Sequence, residues 1–132
     1  KDVIAAHAAW VKTSGKDGKR AVMSRMDLSN KNLSGCNLSA ADFSLATMKG
    51  ADLTKAECLM ADFSYCDLRG ATFARADLRG AKFSRANLSG ANMVAIDLSD
   101  VMVSTRAGGG AWRANMDNAK FKGTTPIFGA HF

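Results

Sequence analysis

Apolar residues recur at every fifth position of this chain from Leu28 to Val103, and polar residues fill most of the positions between them. The sixteen consecutive pentapeptides of 26–105 carry the pattern without an insertion, each with an apolar residue at its centre. Two positions before the centre, ten of these sixteen units have Ala. A period of five fits neither an α-helix, whose period is about 3.6, nor a strand, whose period is about two. The pattern therefore predicts a chain that turns a corner every five residues and stacks unit upon unit, because one unit cannot bury its own centre.

A second period, of 20 residues, relates Phe43, Phe63 and Phe83, each of which is followed by Ser. Four pentapeptides per turn would place these three rings directly above one another, and offset ring contacts add to simple burial. We expect the centres to form a buried core ladder that includes Leu28, Phe43, Phe63, Leu68, Phe83 and Leu88. Several units end in glycine, where a corner with positive φ is expected: Gly35, Gly50, Gly70, Gly80 and Gly90.

The tandem units resemble the pentapeptide-repeat family, whose signature A(D/N)LxX is matched by units such as ADLTK, ADLRG and ANLSG. The resemblance extends over 80 of the 132 residues in unbroken phase, and the lead-in AHAAWVKTSGKDGKRA is similar to that of many bacterial members. It implies an all-β solenoid: a right-handed quadrilateral parallel β-helix with one pentapeptide per side and about four regular coils. With strands about 4.8 Å apart, such a rod is roughly 20 Å long.

The sequences that flank the repeats divide the single domain into three segments. Residues 1–25 are expected to form an N-terminal cap of helix plus loop, 26–105 the repeats, and 106–132 a Gly-rich loop with degenerate repeats and a C-terminal cap. Apolar residues at helical spacing predict an N-terminal helix, and Gly15 predicts where this helix ends. The side chains expected to cover the first coil are Ile4, Trp10 and Val11, and His7 is interpreted as a packing residue.

The C-terminal segment breaks the phase of the repeats. Three glycines at 108–110 predict a bulged loop, after which repeat-like units resume with centres at Met116 and Phe121. Trp112, Phe128 and Phe132 could close the far end of the rod or pair two copies of the chain end to end. Such a homodimer would also cover an exposed strand edge.

Neither a run of 18 apolar residues nor a signal-peptide pattern is present in the sequence. The three cysteines, Cys36, Cys58 and Cys66, occupy inward slots that otherwise hold Ala or Leu, and no spacing suggests a metal site or redox pair. Free buried thiols fit a reducing compartment. The expected location is therefore the cytoplasm, which a segment upstream of Lys1 could change.

The net charge of +6 is unevenly distributed. Residues 1–25 carry six basic and two acidic side chains, 26–105 eight and nine, and 106–132 four and one. The repeats therefore carry −1, and both caps are basic. Five outward residues form a candidate basic belt: Arg69, Arg75, Arg79, Lys82 and Arg85. A solvated surface with weak ion pairs is favoured over a binding belt, because phosphate sites usually need a concave surface or helix N-termini.

Few outward positions are apolar, and four of them are close in the predicted arrangement. Leu59 and Met60 fall on one side of the second coil, and Leu45 and Tyr65 stack one coil apart on the next side. We expect these four residues to form one patch around a shared corner, as a candidate protein-contact patch. The alternative is that the N-terminal segment covers them.

The sequence offers no catalytic constellation, cofactor motif or metal motif. The Asp that precedes many centres is expected to bond backbone amides in turns, so no enzyme is predicted. A protein-interaction or scaffold module is the first hypothesis. Some family members mimic B-DNA and protect DNA gyrase from inhibitors, but that mechanism needs an acidic rod. A third hypothesis is binding of nucleic acid or an anionic membrane through the basic caps, which would weaken steeply with salt.

Overall fold

The computed structural model describes residues 2–99, 101–105 and 108–112 of the chain. It begins with a helix, α1, at Asp2–Lys12. Two strands, β1 at Val101–Thr105 and β2 at Gly108–Trp112, form an antiparallel pair at the other end of the described chain. Between these elements, the chain forms single parallel β-bridges in which each residue pairs with the residue 20 positions later.

The bridges form four ladders, one for each pentapeptide of a turn. We name each ladder by its first residue: the Val22 ladder, the Asp27 ladder, the Asn32 ladder and the Asn37 ladder. The Val22 ladder, for example, continues through Asp42, Asp62 and Lys82. Four pentapeptides therefore complete each turn, as the period of 20 predicts. The first bridge involves Val22, so the repeat conformation begins with 21–25, one unit before the expected boundary at Met26.

Each pentapeptide makes a tight corner after its apolar centre. In 66–70, the Leu68 carbonyl accepts a hydrogen bond from the Ala71 N–H at 3.0 Å. The third residue of this turn, Gly70, has a φ of 69°, which confirms the expected role of the glycines at the ends of units. The corners without glycine adopt the same conformation: Arg25, Asn30, Ala40, Leu45, Lys55, Met60, Tyr65, Arg75, Arg85 and Ala95 all have positive φ.

The Asp or Asn before most centres stabilises the same corner. The Asp42 carboxylate accepts a hydrogen bond from the Ser44 N–H at 2.9 Å, and the Asp62 carboxylate accepts one from the Ser64 N–H at the same distance. The same bond to the N–H two residues later is made by Asp27, Asp52, Asp67, Asp77 and Asp97. The recurring Asp thus has the turn-bonding role that the sequence suggests.

The centres fill the axis of the rod. Phe43 stacks on Phe63 with ring centroids 5.1 Å apart, and Phe63 stacks on Phe83 at 5.0 Å. Phe73, from the Asn32 ladder side, meets the Phe63 and Phe83 rings edge-on. The predicted members Leu28, Leu68 and Leu88 are buried as well. The centre at Leu98 is half-buried, which differs from the full burial expected there.

The first turn differs from the others at the inward position that usually holds Ala. Ala21 is buried, but Met26 is 48% exposed, Lys31 is exposed and Cys36 is half-buried. No earlier repeat stacks on these slots among the described residues, so Met26 and Lys31 are exposed and Cys36 is only partly enclosed. The enclosure that later turns have at this slot is therefore incomplete in the first turn.

The end of the repeats also departs from the expected pattern. Val101–Thr105, which the period of five assigns to a sixteenth pentapeptide, pairs antiparallel with β2. The glycines at 108–110 belong to β2, so the predicted bulged loop is wrong there. A strand is held by its backbone hydrogen bonds, and a glycine-rich strand carries no side-chain pattern that reveals it. The expected features at Met116, Phe121, Phe128 and Phe132 lie outside the described residues, as does the side chain of Trp112.

Candidate protein-interaction surface

The N-terminal end of the rod is joined to α1 through His7, whose side chain is fully buried. The Ala21 N–H donates to His7 Nδ1 at 2.8 Å, and His7 Nε2 lies 2.8 Å from the Ser39 carbonyl oxygen. Because a carbonyl can only accept, Nε2 must carry a proton. Because Nδ1 accepts the Ala21 N–H, it carries none, and the imidazole is therefore neutral. Burial lowers the pKa of His7, the bond to Ser39 opposes this shift, and the charge of Arg20 adds to it.

Further contacts hold α1 against the first turn. Ile4 packs against the hydrophobic core, as expected, whereas the Trp10 ring stacks on His7 with centroids 5.6 Å apart. The Gly15 N–H bonds the Trp10 carbonyl at 2.8 Å and closes the helix end, as predicted. Gly18, with a φ of 73°, passes so close to α1 that a Cβ there would lie 2.8 Å from the backbone nitrogen of Trp10.

A small cavity lies at the N-terminal end of the described chain. A cavity of about 150 Å³ lies between α1 and the first turn, lined by Val3, Ala6, Lys19, Arg20 and Val22. This is smaller than the roughly 300–1,000 Å³ of typical ligand pockets. Across 2–99 and the two strands, no group of three or more His, Cys, Asp or Glu side chains could hold a metal ion. No helix of the described chain is long and apolar enough to span a membrane.

The cysteines behave as core residues. Cys58 and Cys66 are buried and free, and burial raises the pKa of both thiols, that of Cys66 to about 12. The Cys66 thiol donates to the Phe43 carbonyl at 3.1 Å. A thiol held in the protonated form is a poor nucleophile and a poor metal ligand. Cys36 is free but only half-buried.

The residues of the basic belt are distributed over all four sides of the rod and two successive turns. Arg69 pairs with Asp67 at 2.7 Å, and Arg79 pairs with Asp77 at 2.8 Å and with Asp97 at 3.7 Å. Arg75 and Arg85 end their pentapeptides at corners with positive φ, and Lys82 belongs to the Val22 ladder. The five residues therefore form no single positive face.

The four residues of the apolar patch are divided between two corners. Leu45 and Tyr65 end successive turns of the Val22 ladder side and are 43% and 56% exposed. Leu59 and Met60 belong to the Asn37 ladder side, at the preceding corner, and are half-buried. The two pairs therefore lie at successive corners and do not share one corner. A joint contact of all four residues with a partner stays a prediction.

The structure aligns four exposed corner residues in one column on the Val22 ladder side. Arg25, Leu45, Tyr65 and Arg85 end the four pentapeptides of the Val22 ladder side, all are exposed, and all have a φ between 58° and 63°. We call these four residues the Tyr65 column. The same position on the Asp27 ladder side holds Asn30, Gly50, Gly70 and Gly90. The spacing of 20 could have revealed the Tyr65 column if it had been extended to 21–25.

A rod of stacked pentapeptides with outward side chains in columns defines the molecule as a solenoid repeat protein. The chain belongs to the pentapeptide-repeat family: the family's model, described as pentapeptide repeats, matches eight copies over residues 19–54 and 61–100. These ranges make up more than half of the chain. Among curated protein sequences, none is significantly similar to it.

Solved structures of pentapeptide-repeat proteins share the fold. The chain is 34% identical to a protein from the Arabidopsis thaliana thylakoid lumen, with 82% of this chain and 66% of that one covered and a TM-score of 0.57. It is 23% identical to Rfr23 from the cyanobacterium Cyanothece 51142, with 89% of this chain and 67% of that one covered and a TM-score of 0.59. It is 18% identical to QnrB1, a plasmid-mediated fluoroquinolone resistance protein, with 80% of this chain and 53% of that one covered and a TM-score of 0.55. The chain spans about half to two thirds of these proteins' lengths.

Proposed function

We propose that this chain is a non-enzymatic protein-interaction module: a right-handed rod of four coils, capped at its N-terminal end by α1, that presents regular columns of side chains to another protein. Membership of the pentapeptide-repeat family supports the rod, and the contacts of His7 and Ile4 support the cap. Buried free thiols at Cys58 and Cys66 fit a reducing compartment, so we assign the module to the cytoplasm.

The observation that carries this proposal is that most polar and aromatic side chains of the repeats serve the fold itself. The Asp carboxylates bond backbone N–H groups of their own corners, and the Phe rings lie inside the rod. The outward surface of the described repeats thus holds exposed apolar side chains, Leu45 and Tyr65, on a rigid frame, and no polar cleft for a substrate. Exposed apolar residues on a rigid frame suit contact with another macromolecule more than chemistry.

Affinity capture tests the proposal. The purified chain is immobilised and exposed to an extract of the organism that encodes it, and retained proteins are identified by mass spectrometry after stringent washing. A Phe63→Asp variant, in which a charge replaces a fully buried ring, is the unfolded control. We expect at least one protein to be retained by the native chain and not by this control. Equal retention by both, or retention of nucleic acid alone, would contradict the proposed function.

A further inference from the structure

The Tyr65 column combines two unfavourable features that the fold does not require. A residue other than glycine at a φ near 60° costs about 1–2 kcal/mol, yet Leu45 and Tyr65 are in this conformation. Both side chains are also largely exposed, so neither is held there by burial in the core. The Asp27 ladder side shows that glycine serves at the equivalent corner. Large apolar side chains at strained and exposed positions point to a contact with a partner.

The charges around the column define what that partner must carry. Arg25 and Arg85 occupy its two ends and are exposed. Within residues 2–99, the ion pairs involve Arg69 and Arg79, and none involves Arg25 or Arg85. The middle of the same side is acidic, because Asp42 and Asp62 lie three positions before Leu45 and Tyr65. A complementary surface therefore has negative charge at both ends and is apolar in the middle.

The spacing of the column favours an α-helix as the occupant. Successive turns of the rod are about 4.8 Å apart, so the four positions lie at about 0, 5, 10 and 14 Å along its axis. On a helix that rises about 1.5 Å per residue, positions i, i+3, i+7 and i+10 share one face and lie at about 0, 4.5, 10.5 and 15 Å. The two sets agree to within about 1 Å.

We propose that the Tyr65 column is a docking site for an amphipathic helix of another protein that carries carboxylates at i and i+10 and apolar side chains at i+3 and i+7. This inference rests on the proposed function and specifies its partner. Leu45 and Tyr65 contact the apolar pair, and Arg25 and Arg85 pair with the carboxylates. A nucleic acid fits less well, because its continuous phosphate charge would face Asp42 and Asp62.

The test uses a fluorescent helical peptide with the face Glu-x-x-Leu-x-x-x-Leu-x-x-Glu and measures its binding to the full chain by anisotropy. The double variant Leu45→Gly with Tyr65→Gly removes the apolar contact while glycine relieves the strained φ, so the fold is retained. The matched control is Lys55→Gly with Arg75→Gly, which relieves the same kind of strained φ on the opposite side of the rod, where φ is 59° and 60°.

We expect the first double variant to weaken peptide binding at least about tenfold, as loss of an aromatic anchor usually does, and the control to leave it unchanged. Arg85→Glu should weaken binding of the same peptide. Binding of this variant should be restored by a peptide in which Lys replaces the one Glu, N-terminal or C-terminal, that pairs with Arg85. Equal weakening by both double variants would overturn the proposal. So would absent peptide binding by the native chain, or displacement of the peptide by oligothymidine.

A parallel capture experiment separates this proposal from the broader one. If proteins captured by the native chain remain bound to the variant with Leu45→Gly and Tyr65→Gly, the interaction module stands and the helix site is wrong. If the native chain captures no protein, the proposed function fails whatever the peptide does. Loss of the captured protein from this variant alone, together with peptide binding to the native chain, supports both.

Discussion

At the scale of single residues, the inward positions and the corner positions of each pentapeptide select their residues for different physical reasons. The axis requires apolar centres and Ala-sized neighbours, and the sequence displays both because their period is regular. The corners require positive φ, and glycine marked this requirement at five positions. The non-glycine corners, such as Lys55 and Arg75, could not be predicted from residue type, since these residues rarely adopt that conformation.

Gly70→Ala isolates the conformational demand of a corner. Gly70 has a φ of 69°, and a Cβ built there meets no atom within 4 Å, so the substitution introduces strain without a clash. We expect it to lower the free energy of unfolding by about 1 kcal/mol. Ala95→Gly is the reverse change at an equivalent corner, with a φ of 56°, and should leave stability equal or raise it. Chemical denaturation of both variants measures the difference, and shifts of the same sign would contradict the interpretation.

Phe63→Asp tests the axis. The Phe63 ring is fully buried between those of Phe43 and Phe83, so the new carboxylate would lose its hydration without gaining a partner. We expect unfolding, from a cost of several kcal/mol. Arg79→Ala removes partly exposed ion pairs and should cost about 1 kcal/mol or less. Thermal melts followed by circular dichroism compare the two, and a similar loss in both would mean that the basic belt has a structural role.

At the scale of elements, the sequence predicted the N-terminal helix but not how it is attached. Helical spacing indicated which residues lie on the helix, and Gly15 indicated its end. The role of His7 depends on Ala21 and Ser39, which are 14 and 32 residues away, and no local pattern records such a pairing. The sequence indicates that Tyr65 is an outward apolar residue stacked on Leu45, but the bridges that begin at Val22 are needed to add Arg25 to the same column.

The neutral imidazole of His7 makes the attachment of α1 sensitive to pH. The pKa of His7 is lowered in the fold from its usual value of 6.5, so the unfolded chain binds the proton more readily. The stability contributed by His7 is therefore complete above pH 6.5 and declines as the pH falls below it. Amide hydrogen exchange, corrected for the intrinsic effect of pH, should show loss of protection in α1 before loss in the repeats.

His7→Asn provides the control for this effect. Asn does not titrate, so α1 in this variant should be less protected at neutral pH but should lose its dependence on pH near 6. The Asp residues with lowered pKa values, such as Asp27, whose carboxylate is bonded by the Ser29 N–H, contribute stability that is lost below about pH 4. A decline in α1 protection near pH 6 that persists in His7→Asn would rule out His7 as its cause.

At the scale of the whole molecule, the charge distribution argues against mimicry of DNA. Residues 26–105 carry −1 in total, and Arg69, Arg75 and Arg79 are spread around three sides. A surface that replaces a duplex needs continuous negative charge, about one for every 1.7 Å of helix axis. Membership of the pentapeptide-repeat family alone therefore does not predict this activity for the chain.

We expect the purified chain to leave the supercoiling activity of DNA gyrase unchanged. The assay compares rates across a range of protein concentrations, with an acidic pentapeptide-repeat protein as the positive control. Strong inhibition by this chain at low concentration would show that charge is the wrong criterion. Retention on heparin that weakens steeply with salt would instead favour the basic caps as a nucleic-acid surface.

The bridges between residues 20 apart couple the length of the rod to the orientation of its ends. Loss of one whole turn, such as 66–85, would shorten the rod but leave every later side chain on its original side and in its original column. Loss of one pentapeptide, such as 66–70, would keep every centre apolar but rotate all that follows by a quarter turn. Arg85 would then stand above Met60 instead of Tyr65. Insertions and deletions of five residues therefore keep an apolar residue at every centre, but they change which centres stack on one another and which outward side chains share a column.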